Sequence, residues 1–242
     1  MIKLFKFHKK FLSLILVILI FFCLFKIHQK ILGYYNDSKD YKNLRTYSPI
    51  SDSIIDKDYD NEKVLKDMNS DYKFWIKIDG TNIDFPVVQG NDNDFYLSHN
   101  FNKEKNFSGS IFIDSKNDIN NDNNIIIYGH NMKDDSMFAE INNFKIENFF
   151  NNYKYITIFK NNLKLTFEVF SVYLVDEKKL ESELKLKFSN KKDYKNYLQE
   201  QVDKSLFTRK NLDLNINNKI ITLFTCSYEF KNARLILVAK EV

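Results

Sequence analysis

The sequence predicts a mainly β domain behind one membrane-spanning helix. Eight short runs with strand periodicity lie between residue 74 and the end of the chain, and only two helical patches interrupt them. Many short strands in a chain of 242 residues favour a closed or nearly closed barrel, since closure removes exposed strand edges. With 5 Gly and 2 Pro, the composition argues against a repeat protein or a long flexible linker.

The N-terminal apolar run, Phe11 to Phe25, carries no charge and lies between Lys9-Lys10 and Lys26. Fifteen helical residues cover about 22 Å, which is less than the roughly 30 Å hydrocarbon core. Flanking lysines extend toward the interface and a bilayer thins locally, so a span remains the favoured interpretation. No small-x-small cleavage pattern follows, which favours an uncleaved signal-anchor over a removed signal peptide.

The lysines around this run predict its orientation. Four lysines precede it and two closely follow it, so the positive-inside rule places the N-terminus in the cytoplasm. We therefore expect a cytoplasmic basic tail at 1–10, a transmembrane signal-anchor at 11–27, an extracellular spacer with N-terminal helices at 28–70, and the β-barrel at 71–242. The spacer helices are expected before Pro49 and from Glu62 to Met68. The predicted location is the cell membrane, single-pass, with the barrel outside.

Charge argues against a nucleic-acid partner. Residues 1–30 carry six lysines and no acidic residue, so the rest of the chain has 30 basic against 32 acidic side chains. A domain that neutralises several phosphates needs a net basic face, and the outer part of this chain does not supply one.

The strand runs and helical patches follow one another in a definite order. Asp79-Gly80 predicts a turn that joins the first two strands as a hairpin. One helical patch is Ser136 to Phe144, and the other follows Ser189 as a plausible N-cap, with Tyr194, Tyr197, Leu198, Val202 and Leu206 on one face. The eight expected strands are 74–78, 83–88, 109–114, 124–128, 155–160, 164–175, 219–225 and 233–242.

The outer part of the chain has few reactive side chains: Cys226, His99, His130, Arg45, Arg209 and Arg234. Cys226 ends an apolar run and has no outer cysteine to pair with, so it is either a nucleophile or a buried filler. A thiol, an imidazole and a cation form the minimal set for acyl transfer. One cysteine and two separated histidines give no metal-ligand spacing, so we expect no metal and no cofactor.

Two histidines could serve Cys226. His130 follows the apolar run Ile125 to Tyr128 and Gly129, where a strand leaves the core at a rim, whereas His99 lies in a polar loop. This placement favours His130 as the partner of Cys226, and His99 stays an alternative. Arg234 is either a solvated strand end or, if its strand pairs beside that of Cys226, a neighbour of the thiol across the loop 227–232.

Several motifs resemble those of the sortase family. Thr222-Leu223-Phe224-Thr225-Cys226, with Arg234 downstream, is similar to the Thr-Leu-x-Thr-Cys…Arg signature of sortases, and Tyr128-Gly129-His130-Asn131-Met132 resembles their histidine motif. The segments 75–89, 95–101 and 109–114 are also similar, in order and with compatible spacing. The helix expected at about 190–206, together with the helical N-terminal extension, is similar to class B sortases.

The resemblance implies an eight-stranded sortase-type β-barrel with N-terminal helices and a helix between the penultimate strands. It implies a membrane-anchored cysteine transpeptidase that cleaves a C-terminal sorting signal of secreted proteins. The acyl group would pass to an amine of peptidoglycan or of its lipid-linked precursor. Cys226 would form the thioester, His130 would move the protons, and Arg234 would hold the substrate backbone or oxyanion. His99 would then have a structural role.

The same resemblance implies substrate-binding roles for Leu97, Asn93, Thr225 and Ser227. Phe224 departs from the pattern, since many class B members have a small polar residue there, and it would reshape the groove. Two alternatives stay open. The same residues could form a cysteine hydrolase in which water resolves the thioester, or the domain could be a membrane-tethered binding module whose Cys226 is a core residue.

Overall fold

The protein is described by a computed structural model that covers residues 2–49, 61–210 and 212–242. Eight strands form a closed barrel with the order β1-β2-β3-β4-β7-β8-β6-β5. This confirms the predicted fold. The strands are β1 Tyr72–Ile78, β2 Asp84–Val88, β3 Ile111–Ile113, β4 Asn124–Tyr128, β5 Tyr155–Lys160, β6 Leu163–Asp176, β7 Ile220–Cys226 and β8 Ala233–Glu241.

Helices and 3-10 turns connect the strands. The α-helices are α1 Ile2–Leu44, α2 Asn61–Met68, α3 Glu147–Asn152, α4 Leu180–Glu183 and α5 Lys191–Lys204. The 3-10 turns are Arg45–Tyr47, Phe95–Leu97, Ala139–Lys145 and Glu177–Lys179. The helix expected at Ser136 to Phe144 is a 3-10 segment. It begins three residues later than predicted and ends one residue later. The long helix α5 lies between β6 and β7, as expected.

The barrel wall has apolar packing on both of its faces. The interior cluster contains residues such as Trp75, Leu223 and Leu237, all fully buried. A second cluster lies outside the barrel, where Tyr194 and Tyr197 of α5 pack against outward-facing residues of β6, β7 and β8. Alternate residues of β7 therefore enter different clusters, as the two-residue period of a strand requires. The continuous apolar run of β7 reflects this burial on both faces.

Helix α5 begins one residue later than the sequence predicted. The Asn190 side chain accepts a hydrogen bond of 2.9 Å from the Asp193 main-chain N–H, so Asn190 is the N-cap and not Ser189. The Ser189 main-chain N–H instead donates to the Asp193 carboxylate. Leu206, which was expected on the apolar face, lies beyond the last helical residue and is exposed.

Helix α1 contains an apolar stretch long enough to cross a membrane. By length and composition the candidate span is Phe11–Gly33, 23 residues, or about 34 Å at helical rise. It is longer than the predicted 11–27, because the helix continues without a break past Lys26. The helix expected before Pro49 is the C-terminal part of α1, and the one from Glu62 to Met68 is α2. The domain boundaries at residues 10, 27 and 70 stay a prediction.

The C-terminal end of α1 packs against the barrel. Tyr41 and Leu44 are buried, the Tyr41 hydroxyl donates to the Gly109 carbonyl at 2.5 Å, and its ring lies edge-on to Phe85 at 5.2 Å. The next turn is also attached, because the Arg45 guanidinium donates to main-chain carbonyls of the β1–β2 region. The barrel is therefore joined to the candidate span by a docked helix end.

We predict that Asn190→Ala lowers the free energy of unfolding by about 1 kcal/mol, the usual cost of losing an N-cap. Ser189→Ala is the matched control and leaves stability within a few tenths of a kcal/mol, because no cap is lost. Thermal unfolding of the two variants beside the wild type measures the difference. A larger loss for Ser189→Ala would show that the cap is misassigned.

Candidate active site

The pairing of β7 with β8 places Cys226 directly opposite Arg234. The next pair along the ladder, Ser227 and Ala233, carries a main-chain hydrogen bond of 2.9 Å from Ser227 N to Ala233 O. Bonded and non-bonded pairs alternate in an antiparallel ladder, so Cys226 and Arg234 form a non-hydrogen-bonded pair. In such pairs the Cα atoms are about 4.5 Å apart and the side chains lie on one face. The Cβ atoms of Cys226 and Arg234 are therefore neighbours on that face.

The parallel pairing of β4 with β7 brings His130 to the same end of the barrel. Tyr128 lies opposite Phe224 in this ladder, and His130 and Cys226 each follow two residues later. Three hydrogen bonds continue the attachment beyond the strand. Gly129 N donates to Phe224 O at 3.2 Å, the Thr225 hydroxyl donates to Gly129 O at 2.6 Å, and the Asn131 amide donates to Cys226 O at 2.8 Å.

Gly129 is required by close packing and not by a left-handed backbone. A Cβ atom at this position would lie 2.6 Å from Ile111 Cδ1 and 2.7 Å from the Phe138 ring. Those are closer than any real side chain tolerates, so a larger residue would displace the segment that carries His130.

The imidazole of His130 is held by a main-chain carbonyl. His130 Nε2 lies 2.8 Å from Leu97 O. A carbonyl only accepts hydrogen bonds, so Nε2 carries the hydrogen and the neutral ring keeps Nδ1 as its free acceptor. The sequence analysis assigned no group to orient His130, because a main-chain carbonyl 33 residues earlier leaves no side-chain signal in the sequence.

Arg234 is held by an acidic residue that the sequence analysis did not single out. Its Nη2 atom lies 2.9 Å from the Glu177 Oε2 atom, and its Nη1 atom donates to the Ala233 carbonyl at 3.0 Å. The Arg234 side chain is 18% exposed and that of Glu177 is 50% exposed. Glu177 directly follows β6. Because β6 pairs with β8, Glu177 reaches Arg234 from the adjacent strand. The guanidinium is thus oriented at the strand end and still reachable by solvent.

Two cavities share Asn131 and Tyr228 as a common wall, and His130 lines the larger of them. The larger has a volume of about 770 Å³ and is called here the basic cavity. Its lining is Lys30, Leu97, Ser98, Lys105, Asn106, Phe107, His130, Asn131, Met132, Lys133 and Tyr228. The smaller, of about 380 Å³, contains the side chains of Asp135, Glu140, Glu229 and Lys145. The imidazole therefore faces the basic cavity, and the mixed-charge cavity lies next to it across the shared wall.

Leu97 and Asn93, both predicted to bind substrate, lie in the segment before β3. Leu97 is 40% exposed and lines the basic cavity next to His130. The Asn93 amide is occupied by the loop itself, since it donates to the Asp114 carboxylate at 2.9 Å and accepts from Ser115 N at 2.8 Å. Among these two, only Leu97 presents its side chain to a cavity. A substrate contact by either remains a prediction.

Thr225 and Ser227, predicted beside the nucleophile, both use their hydroxyl groups within the protein. Thr225 is buried and donates to Gly129 O, so strand alternation turns its side chain away from the face that carries Cys226. The Ser227 hydroxyl is also buried, and it bonds the carboxylate of Glu229 and lies 3.2 Å from Asn142 Oδ1. Both hydroxyl groups therefore hold the segment around Cys226, and a substrate contact by either residue remains a prediction.

Glu229 and Lys145 hold the loop between β7 and β8. Lys145 Nζ forms an ion pair with the Glu229 carboxylate and lies 3.3 Å from the Ser227 hydroxyl. Burial raises the pKa of Glu229, but the hydrogen bonds from Lys145 and Ser227 outweigh it and leave the pKa lowered. The carboxylate stays ionised at neutral pH and keeps the loop after Cys226 in place.

The rings of Phe224 and Tyr128 are in contact on the same face of the sheet as the Cys226 side chain. Their rings meet edge to face with centroids 5.3 Å apart. The Tyr128 hydroxyl donates to the Asp114 carboxylate at 2.8 Å. Burial, followed by the nearby Asp114 charge, raises the pKa of Tyr128 far above its usual value, so the phenol stays protonated. The expectation that Phe224 shapes the groove is consistent with this position two residues before the thiol.

His99 is held within its own loop. Its Nδ1 atom lies 2.8 Å from Phe95 O, and its ring stacks on Phe95 with centroids 4.0 Å apart.

Cys226 is a free thiol that is only half-buried at the strand end. A core filler would be enclosed, so this position favours a reactive thiol.

A half-buried thiol, an imidazole and a guanidinium at one end of a closed barrel define a thiol-dependent acyl-transfer enzyme. Comparison with known proteins gives the family, because the sortase domain matches residues 76–242. The chain belongs to the sortase family, and its relatives place it in class B. It is a sortase-type cysteine transpeptidase.

Three relatives illustrate the similarity. An X-ray structure of a cysteine-to-serine mutant form of Clostridium perfringens sortase B is 61% identical, with a TM-score of 0.82, covering 85% of this chain and 98% of that chain. Sortase B of Listeria monocytogenes serovar 1/2a is 36% identical over 188 residues, which are 76% of this chain and 74% of the relative. A Staphylococcus aureus sortase B–substrate complex is 28% identical, with a TM-score of 0.78, covering 87% and 98%.

We predict that Thr225→Val lowers the free energy of unfolding by about 1–3 kcal/mol, because the Gly129 carbonyl loses its buried donor. Thr225→Ser keeps the hydroxyl and is the matched control. Denaturant unfolding compares the two variants. Wild-type stability in Thr225→Val would show that the hydrogen bond to the Gly129 carbonyl does not stabilise the fold.

Proposed function

We propose that this enzyme cleaves a C-terminal sorting signal of secreted proteins and joins the acyl group to a cell-wall amine. The amine belongs to peptidoglycan or to its lipid-linked precursor. The observation that carries the proposal is the register that sets Cys226 opposite Arg234, with His130 at the end of the adjacent strand. The similarity to a Staphylococcus aureus sortase B–substrate complex supports a substrate shared with that class.

In the first step, the Cys226 thiolate attacks the scissile carbonyl carbon and forms a tetrahedral intermediate. The carbon–nitrogen bond then breaks, and protonated His130 gives its proton to the leaving amine, which leaves a thioester. In the second step, the acceptor amine attacks the thioester. Neutral His130 takes the proton from this amine, and the thiolate leaves as the new amide bond forms. The hydrogen bond from His130 Nε2 to Leu97 O leaves Nδ1 as the atom that moves these protons.

Arg234 stabilises the negative charge that develops on the carbonyl oxygen. A fixed donor at the developing oxyanion lowers the barrier because it needs no reorganisation during the reaction. The neighbouring Glu177 carboxylate, 2.9 Å from Nη2, keeps the guanidinium oriented before substrate arrives. Arginine suits this position because it stays protonated and presents several donors in one plane.

The proposed location is the outer face of the cell membrane. The candidate span Phe11–Gly33 is long enough to anchor the chain, and the lysines around it favour a cytoplasmic N-terminus. The catalytic domain then lies outside the membrane, where secreted proteins and wall amines meet. Asn93, Leu97, Thr225 and Ser227 remain the proposed contacts to the sorting signal.

Turnover of a fluorogenic sorting-signal peptide with an amine acceptor tests the three catalytic roles. We expect Cys226→Ala to abolish turnover, since no other nucleophile replaces the thiol. His130→Ala should lower kcat by about 10²–10⁴-fold and Arg234→Lys by about 10²–10³-fold. Cys23→Ala is the matched control and keeps wild-type turnover, because that thiol lies within the candidate span. Undiminished turnover in Cys226→Ala would refute the proposal.

Product analysis separates transfer from hydrolysis. Mass spectrometry of the same reaction is expected to show the peptide joined to the acceptor amine. Free acid alone, in the presence of abundant acceptor, would identify a hydrolase that uses the same residues. A Cys226 that resists alkylation in the folded protein would instead favour the binding module.

A further inference from the structure

The basic cavity is lined by a residue of the candidate membrane span. Lys30 belongs to Phe11–Gly33 and lines the same cavity as His130. Its Nζ atom lies 5.1 Å from the centroid of the Phe107 ring, which belongs to the loop before β3. The mouth of the basic cavity, which His130 also lines, is therefore in contact with the end of the candidate span.

The height of this contact follows from helix geometry. Lys30 precedes Gly33, the last residue of the candidate span, by three residues, or about 4–5 Å along the axis. Lys30 also lies about 29 Å along the axis from Phe11, so a span that starts at the inner edge of the roughly 30 Å hydrocarbon core brings Lys30 to the outer edge, where a headgroup layer of about 5–7 Å begins. Because Phe107 contacts Lys30, the Phe107 loop lies at the depth of the headgroups when the span is in the membrane.

The side chains at the mouth of the cavity suit a membrane surface. Phe107 is 61% exposed and Tyr228 is 73% exposed, although both are large and aromatic. Lys105 and Lys133 are exposed beside them, and no acidic residue is among the described residues that line the cavity. Exposed aromatic rings together with lysines are typical of surfaces that lie in the headgroup region of anionic membranes.

We propose that the mouth of the basic cavity, formed by Leu97, Lys105, Phe107, Lys133 and Tyr228, rests on the anionic lipid surface beside the anchor. The basic cavity then opens onto the bilayer, and a chain still attached to the membrane reaches His130 without leaving the surface. The inference rests on the proposed anchoring of the span. It does not depend on the proposed reaction.

Depth-dependent quenching of tryptophan fluorescence tests this contact in the full-length protein in vesicles. The native Trp75 is fully buried in the barrel, so a Phe107→Trp substitution adds one exposed indole to a constant background. Leu163→Trp is the matched control, because Leu163 is 63% exposed in the turn between β5 and β6, at the end of the barrel opposite Cys226. The probe is phosphatidylcholine with bromine near the headgroup end of its chains, mixed with phosphatidylglycerol.

We expect brominated lipid to quench Phe107→Trp at least about twofold more than Leu163→Trp, since interfacial side chains reach roughly 5–10 Å into the membrane boundary. In the Phe107→Trp protein, Lys105→Glu with Lys133→Glu should reduce this quenching. As the control, Lys164→Glu with Lys187→Glu changes the same charge at exposed positions on the opposite side. This pair should leave the quenching unchanged.

Equal quenching of the two indoles in protein that floats with the vesicles would overturn the inference. Failure to float would refute the anchor and, with it, the inference, while peptide turnover of the same sample reports on the proposed reaction separately. A Phe107→Trp indole shielded from both brominated lipid and aqueous iodide would show a protein partner on this surface, and would also overturn it.

Discussion

The register of β7 between β4 and β8 is the constraint on which the rest of the site depends. The antiparallel pairing with β8 sets Cys226 opposite Arg234, and the parallel pairing with β4 brings His130 to the same end. A slip of β7 by one residue would turn Cys226 into the barrel and bring Thr225 out. The alternating burial of β7, with Leu223 inside and Ile220 under α5, opposes such a slip because it would reverse every contact of the strand.

The sequence predicted the barrel well because each strand carries its own signal. The runs from Asn124 to Tyr128 and from Ala233 onward were recognised by apolar residues that extend over a few positions, and the structure confirms them. The hairpin turn was also predictable, since Gly80 has a φ of +76° that favours glycine. The cap of α5 was misplaced by one residue because Ser189 and Asn190 are both good cap formers and only the structure shows which side chain accepts the hydrogen bond.

The parts of the site that sequence reasoning missed come from contacts between distant segments. The carbonyl of Leu97 orients His130, and no side chain marks a carbonyl. Glu177 meets Arg234 only because β6 pairs with β8, and that strand order follows from barrel closure. The inward direction of Thr225 was available from the sequence, because neighbouring residues of a strand point to opposite faces and Cys226 must face the substrate.

The two adjoining cavities at this end of the barrel differ in the charge of their linings. Lysines of the loop segments and of α1 surround one cavity, and carboxylates with Lys145 surround the other. The docked end of α1, attached through Tyr41 and Leu44, keeps the basic cavity beside the candidate span. The helix that contains the candidate span therefore also fixes which side of the barrel lies next to that span.

The most direct test of the register is a cross-strand disulfide between positions 226 and 234. The non-hydrogen-bonded pairing predicts Cα atoms about 4.5 Å apart, within the range that a disulfide spans. In Arg234→Cys, mild oxidation should therefore form an intrachain disulfide with Cys226, detected by the loss of both thiols from alkylation in folded protein. Leu235→Cys, which faces the barrel interior, should leave Cys226 free. A disulfide in Leu235→Cys and none in Arg234→Cys would contradict the register and the site built on it.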